Sequence, residues 1–214
     1  MFMVCMGCMN GIVKDVISPI QSPLTSGFAV ATLIQIFGHV SDCHMNPAVT
    51  ACFLVRGVID IPTSIIYLIA ELLGASIGYG LTRIIIPVSI LAVNPGQCET
   101  QVHADLSNSG AAVFEFVITS VLIFLVCGLC DIRHSAKQDS APIKFGLCIA
   151  GLSFVGGSLT GASLNPARSF GPAVWNWSWN GHWVYWAGPM SAGFIVPKFY
   201  QFLFEKDLKS MIEQ

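Results

Sequence analysis

The sequence predicts an all-α membrane protein: a helical bundle arranged as an inverted repeat, with two re-entrant half-helices. Three observations carry this. First, 54% of the 214 residues are hydrophobic and only 10% are charged, against about 25% charged in soluble domains. Second, the apolar runs are long and lack the alternation, over about 10 residues, of a membrane barrel strand; lipid-exposed backbone then has to be helical. Third, two Asn-Pro-Ala triplets begin at Asn46 and Asn165. The net charge of −2 comes with no basic stripe and excludes a nucleic-acid binder. An ordinary cytosolic enzyme also fits poorly.

The chain reads as one domain over residues 1–214. Residues 1–11 are apolar but far short of the roughly 20 needed to cross a bilayer. They lack the basic start of a signal peptide, and read as the remnant of a truncated first helix. Full spans follow at about residues 25–40, 63–86, 111–129, 145–159 and 182–204. Two shorter apolar segments, 46–56 and 165–175, each open on the triplet. Proline suits the first turn of a helix, where its missing N–H would have no partner. Each segment is therefore a half-helix starting at its Asn-Pro.

Lysine and arginine placement sets the orientation. Arg56, Arg133, Lys137, Lys144, Lys198, Lys206 and Lys209 fall on one side, and Lys14, Arg83 and Arg168 on the other. The first group and the C-terminus are placed in the cytoplasm, and the loop over residues 87–110 outside. The eight cysteines lie mostly within apolar runs and read as small core residues. Cys127 and Cys130 have C-x-x-C spacing but no second pair. No disulfide framework, metal or cofactor is expected. Asn176-Trp177-Ser178 is a glycosylation sequon beside a half-helix, and occupancy is not expected there.

The triplets are 119 residues apart, and other residues repeat at matched offsets: Gly38 with Gly157, and Gly74 with Gly193. An odd number of spans separates the two halves, so the second is inverted. Broken helices of this kind meet near the midplane, where irregular backbone must line a wet cavity. Each helix N-terminus carries about half a positive charge. Each asparagine amide offers donors and an acceptor. The expected result is an electropositive pore centre that orients hydroxyls and repels cations.

Residues 41–50 (SDCHMNPAVT) and 161–172 (GASLNPARSFGP) make the chain resemble the aquaporin, or major intrinsic protein, family over nearly its whole length. The resemblance implies six tilted helices and two half-helices, a pore in each protomer, and a homotetramer in the plasma membrane. It implies that Asn46, Pro47, Ala48, Asn165, Pro166 and Ala167 form the pore motifs and that Arg168 walls the narrowest ring. By offset the rest of that ring is Ser26, Ser153 and Ala162. Water-selective members carry a phenylalanine and a histidine where this chain has the two serines. Small hydroxyls widen the filter, and pore diameter and lining donors decide selectivity. Phe28 lies about 200° round the helix from Ser26 and should face elsewhere.

The chain therefore resembles the glycerol-permeable aquaporins of insects. It is expected to be a passive channel for water and small polyols or urea, with no catalysis. Two alternatives are a strictly water-selective channel and a truncated, non-conducting form that joins full-length subunits. A coupled secondary transporter would need an acidic pair beside the triplets, and none is seen. In the family a glutamate such as Glu115 bonds the backbone of the second re-entrant loop. Its counterpart for the first loop is expected in the first helix, yet residues 1–14 hold no acid. Glu71, at a position that is commonly glutamine in the family, is the second buried acid; it is either protonated or bonds backbone at a helix contact, and neither role is assigned.

Overall fold

The structure, a computed structural model, describes residues 1–9, 20–92, 96 and 98–205, without the side chains of 135–137. The helices are α1 (Phe2–Met9), α2 (Gln21–Ser41), α3 (Pro47–Val55), α4 (Ile61–Ile85), α5 (Val88–Leu91), α6 (Asn108–Leu129), α7 (Ala141–Thr160), α8 (Pro166–Asn176) and α9 (Val184–Tyr200). A 3-10 segment, Ile132–Ser140, precedes α7, and a π turn, Gln201–Glu205, extends α9. No strand occurs among the described residues. Among the described residues, four segments are long and apolar enough to cross a membrane: Gln21–Ser41, Ile61–Ile85, Asn108–Leu129 and Gln138–Thr160.

Local chemistry fixes these ends. Asp60 caps α4 by accepting from the Thr63 N–H at 2.9 Å, and Ser107 caps α6 by accepting from Gly110 at 3.1 Å. Each cap satisfies a donor that the helix leaves unpaired. The half-helices begin at proline behind an asparagine cap. They run over Pro47–Val55 and Pro166–Asn176. Pro172, Pro189 and Pro197 sit inside helices, which membrane helices tolerate.

Packing repeats with the chain. Contacts α1–α2, α1–α4 and α3–α4 in the first half have counterparts α6–α7, α6–α9 and α8–α9 in the second; between the halves α4–α8 matches α3–α9, and α2 crosses α7. The crossings use small residues, as membrane interfaces do. Gly27 lies on the Gly146 backbone, Gly193 on Ala48, and Gly171 on Ala75. The core joins Leu122, Ile123 and Val126 of α6 to Ala48 and Cys52 of α3 and Ala192 and Val196 of α9. Ile65, Ile66, Ile69, Leu73 and Ile77 leave an exposed stripe along α4, at helical spacing and fit for lipid.

Of the basic residues assigned to one side, Arg56 and Arg133 both reach the π turn that follows α9. Arg56 Nη2 donates to Glu205 Oε1 at 2.9 Å. Arg133 donates to Asp131 and to the Phe204 carbonyl. The Arg133 guanidinium holds the Asp131 carboxyl well below the usual carboxylate range. Arg83, assigned to the other side, donates to Asn176 Oδ1 at 2.8 Å. Lys14, Lys206 and Lys209, residues 10–11 of the segment 1–11 and the Lys137 side chain lie outside the described residues.

Candidate functional site

The two half-helix tips meet. Asn46 Oδ1 accepts from the Ala48 N–H at 2.9 Å, and Asn165 Oδ1 accepts from Ala167 and Arg168 at 2.9 and 3.2 Å. Both asparagines are ordinary N-caps in this respect, yet each also reaches across. Asn46 Nδ2 donates to the Leu164 carbonyl and Asn165 Nδ2 to the Met45 carbonyl, both at 2.8 Å. An amide nitrogen carries two N–H groups, so one of each pair fastens the opposite loop. Sequence reasoning expected amide donors at a pore centre and did not anticipate this cross-stitch.

The approach to each tip is built alike. Asp42, Cys43 and Met45 have φ of 53°, 48° and 53°; Gly161, Ala162 and Leu164, each 119 residues on, have 78°, 46° and 55°. Left-handed backbone costs a non-glycine residue about 1–3 kcal/mol, and here it aims the Met45 and Leu164 carbonyls at the opposing amides. The repeated glycines close the preceding helices: Gly38 accepts from the Asp42 N–H and Gly157 from the Gly161 N–H.

One cavity of about 1110 Å³ is lined by Asn46, Asn165, Ser26, Ser153, Ala162 and Arg168. Phe28, 57% exposed, points away from it. Pro47, Ala48, Pro166 and Ala167 are buried behind the tips. Arg168 Nη1 donates to the Cys98 carbonyl at 2.6 Å. Cys98, Cys8 and Met3 also line the cavity, and none was singled out from sequence.

Two glutamates hold the two loops. Glu115 is fully buried; it accepts from Thr160 Oγ1 at 2.7 Å and from the Ser163 and Leu164 N–H groups at 2.9 Å. The first loop is contacted by a carboxylate on α4. Glu71 Oε1 accepts from the Asn46 N–H at 3.0 Å and from Thr50 Oγ1 at 2.8 Å. A buried carboxylate needs such donors. The sequence marked both acids but could not tell which helix would face the first loop.

The expectation of no disulfide is corrected: Cys8 and Cys98 are bonded, with Cα atoms 5.0 Å apart. Ninety residues separate them in sequence, and only the folded path brings the end of α1 to that loop. Cys98 sits among polar residues (Gln97, Glu99, Thr100), the one signal that set it apart from the core cysteines. The Asn176 side chain is engaged: its Nδ2 donates to Tyr79 and Glu99 at 2.9 and 2.7 Å.

Comparison with known proteins follows this geometry. Residues 1–200 match the family profile described as Major intrinsic protein. The chain is 37% identical over 186 residues to Aquaporin-4 of Mus musculus, covering 87% of this chain and 57% of that protein. It is 36% identical over 193 residues to the lens fiber major intrinsic protein of Gallus gallus, covering 90% and 72%. The chain thus spans little more than half the length of the Aquaporin-4 relatives it matches. Its fold is similar to that of the aquaglyceroporin from Plasmodium falciparum, with a TM-score of 0.82, 20% identity, and coverage of 98% of this chain and 93% of that one. On the matched profile and these relatives, the chain belongs to the major intrinsic protein family.

Proposed function

We propose that this protein is a passive, bidirectional transmembrane channel for water and small uncharged solutes such as glycerol, other polyols and urea. It works as a homotetramer in the plasma membrane with its C-terminus cytoplasmic. The observation that carries the reading is the single cavity shared by both cap asparagines, two serines, Ala162 and Arg168. The opposed half-helix N-termini make its centre electropositive, and Arg168 adds a fixed charge that rejects cations. Ser26 and Ser153 present small hydroxyls where a narrow filter carries rings. They leave room for a carbon chain and offer hydrogen bonds to its hydroxyls.

The test is osmotic swelling of proteoliposomes in water and glycerol gradients. Both solutes are expected to permeate above protein-free vesicles. Ser153→His should lower glycerol flux about tenfold and leave water within about twofold, because bore and lining donors set selection. Swelling in water but never in glycerol would reject the wide filter; no flux of either would reject the channel.

A further inference from the structure

We infer that the Cys8–Cys98 cystine is a positioning element of the filter: it holds in place the backbone carbonyl to which Arg168 donates, so the setting of Arg168 in the cavity depends on the redox state of that bond. This deepens, and rests on, the channel reading above.

Arginine carries its charge on a long stem with several free torsions. Its place in a cavity is set by the acceptors it finds. Arg168 Nη1 finds the Cys98 carbonyl at 2.6 Å. That carbonyl is aimed by a backbone at φ 73°, a conformation a residue with a Cβ keeps only when its surroundings over-determine it. Two restraints surround it. On one side Glu99 accepts from Asn176 Nδ2 at 2.7 Å, and Thr100 Oγ1 donates to Ser169 Oγ at 2.8 Å, tying the next two residues to α8. On the other side the cystine ties Cys98 to α1, which packs on α4 and α2. The acceptor is thus held between α8, which carries Arg168, and α1. All three residues, Cys8, Cys98 and Arg168, border the same cavity.

Breaking the bond removes the α1 side of this hold while Glu99 and Thr100 stay on α8. The Cys98 peptide can then relax out of the left-handed region, its carbonyl turns, and Arg168 regains torsional freedom within the bore. Selectivity shifts; the pore is not abolished. The chemistry is thiol–disulfide exchange with an external dithiol. The dithiol supplies two electrons and two protons, the S–S bond breaks, Cys8 and Cys98 become thiols, and the dithiol closes to its own disulfide. In the proposed orientation the loop faces the exterior, where cystines persist.

The experiment uses the full chain, purified without reductant. Peptide mapping under non-reducing conditions should recover Cys8 linked to Cys98; finding both as free thiols overturns the inference. Arg168 modification by phenylglyoxal, followed by mass spectrometry, should speed up about threefold or more after dithiothreitol, as a rotamer-rich side chain regains freedom. Equal rates in the two states overturn it. Cys8→Ser/Cys98→Ser should match the reduced protein and ignore reductant; if that variant does not fold, reduction of the wild type alone decides. In proteoliposomes the glycerol-to-water permeability ratio should change about twofold or more on reduction, since the bore sets selection. An unchanged ratio with the bond shown to be open overturns the effect on the filter. Faster Arg168 modification without any flux in either state upholds the positioning of Arg168 and rejects the channel reading instead.

Discussion

The two halves hold the same loop geometry with different clamps. In the second half Glu115, on α6, uses both carboxylate oxygens for three donors. In the first half Glu71, on α4, uses Oε1 for two donors, and its buried Oε2 has no partner among the described residues. The helices are not equivalent: α6 matches α1 in the repeat, and α4 matches α9. By the 119-residue offset Glu71 corresponds to Met190. Elsewhere the halves agree closely. His44 Nδ1 lies 3.0 Å from Thr50 Oγ1, and their counterparts Ser163 and Ser169 lie oxygen to oxygen at 2.6 Å. The backbone path and the cap thus repeat between the halves, while the braces within residues 1–214 do not: Glu71 contacts the first loop from α4 and Glu115 the second from α6.

The largest expected effect breaks the fuller clamp. Glu115→Leu leaves the Ser163 and Leu164 N–H groups buried without acceptors, at about 1–3 kcal/mol each. We expect a loss of roughly 3–5 kcal/mol when the Thr160 hydroxyl is included, read as a lower midpoint of unfolding in detergent. Glu71→Leu should cost less, about 1–3 kcal/mol, because Thr50 keeps His44 as a partner. Equal losses would show that the two braces carry the same load.

The next effect tests where the halves agree. A Cβ at Gly193 would run into the Ala48 carbonyl, and one at Gly171 would sit 2.7 Å from the Ala75 carbonyl. Both contacts are backbone and cannot swing aside. Gly193→Ala and Gly171→Ala should each destabilise by about 1–3 kcal/mol, the range for overpacking. Similar losses would match the repeated crossings α3–α9 and α4–α8. A loss confined to one would mean that the other half-helix can shift. Denaturant titration in the same detergent measures both.

These comparisons also divide what the sequence disclosed from what it hid. The bundle, the half-helices and the cap asparagines were legible because hydropathy and Asn-Pro are local signals, written within a few residues of where they act. The company that Ser26, Ser153, Ala162 and Arg168 keep was reachable through fixed offsets from the triplets. Glu71 was visible as an acid in an apolar span, and its burial implied donors. Asn46, 25 residues away, could be named only once α3 and α4 were packed. The cystine was harder still. Nothing local links Cys8 to Cys98, and the polar neighbours of Cys98 set it apart without naming its partner.

The smallest effect sharpens the comparison most, because it asks how many oxygens each clamp uses. Glutamine keeps one acceptor oxygen and replaces the other with an NH₂ donor. At Glu71 the retained oxygen can serve both the Asn46 N–H and Thr50, so Glu71→Gln should stay within about 1 kcal/mol of the parent. At Glu115 one oxygen serves Thr160 and Ser163 and the other Leu164. Whichever way the amide turns, a donor faces a buried N–H. Glu115→Gln should cost roughly 2–3 kcal/mol, with Glu115→Leu worse. The pair is read as the difference between the two glutamine variants in one unfolding assay. If Glu71→Gln falls as far as Glu115→Gln, then Oε2 of Glu71 is bonded in the membrane, and the asymmetry between the halves is one of helix alone.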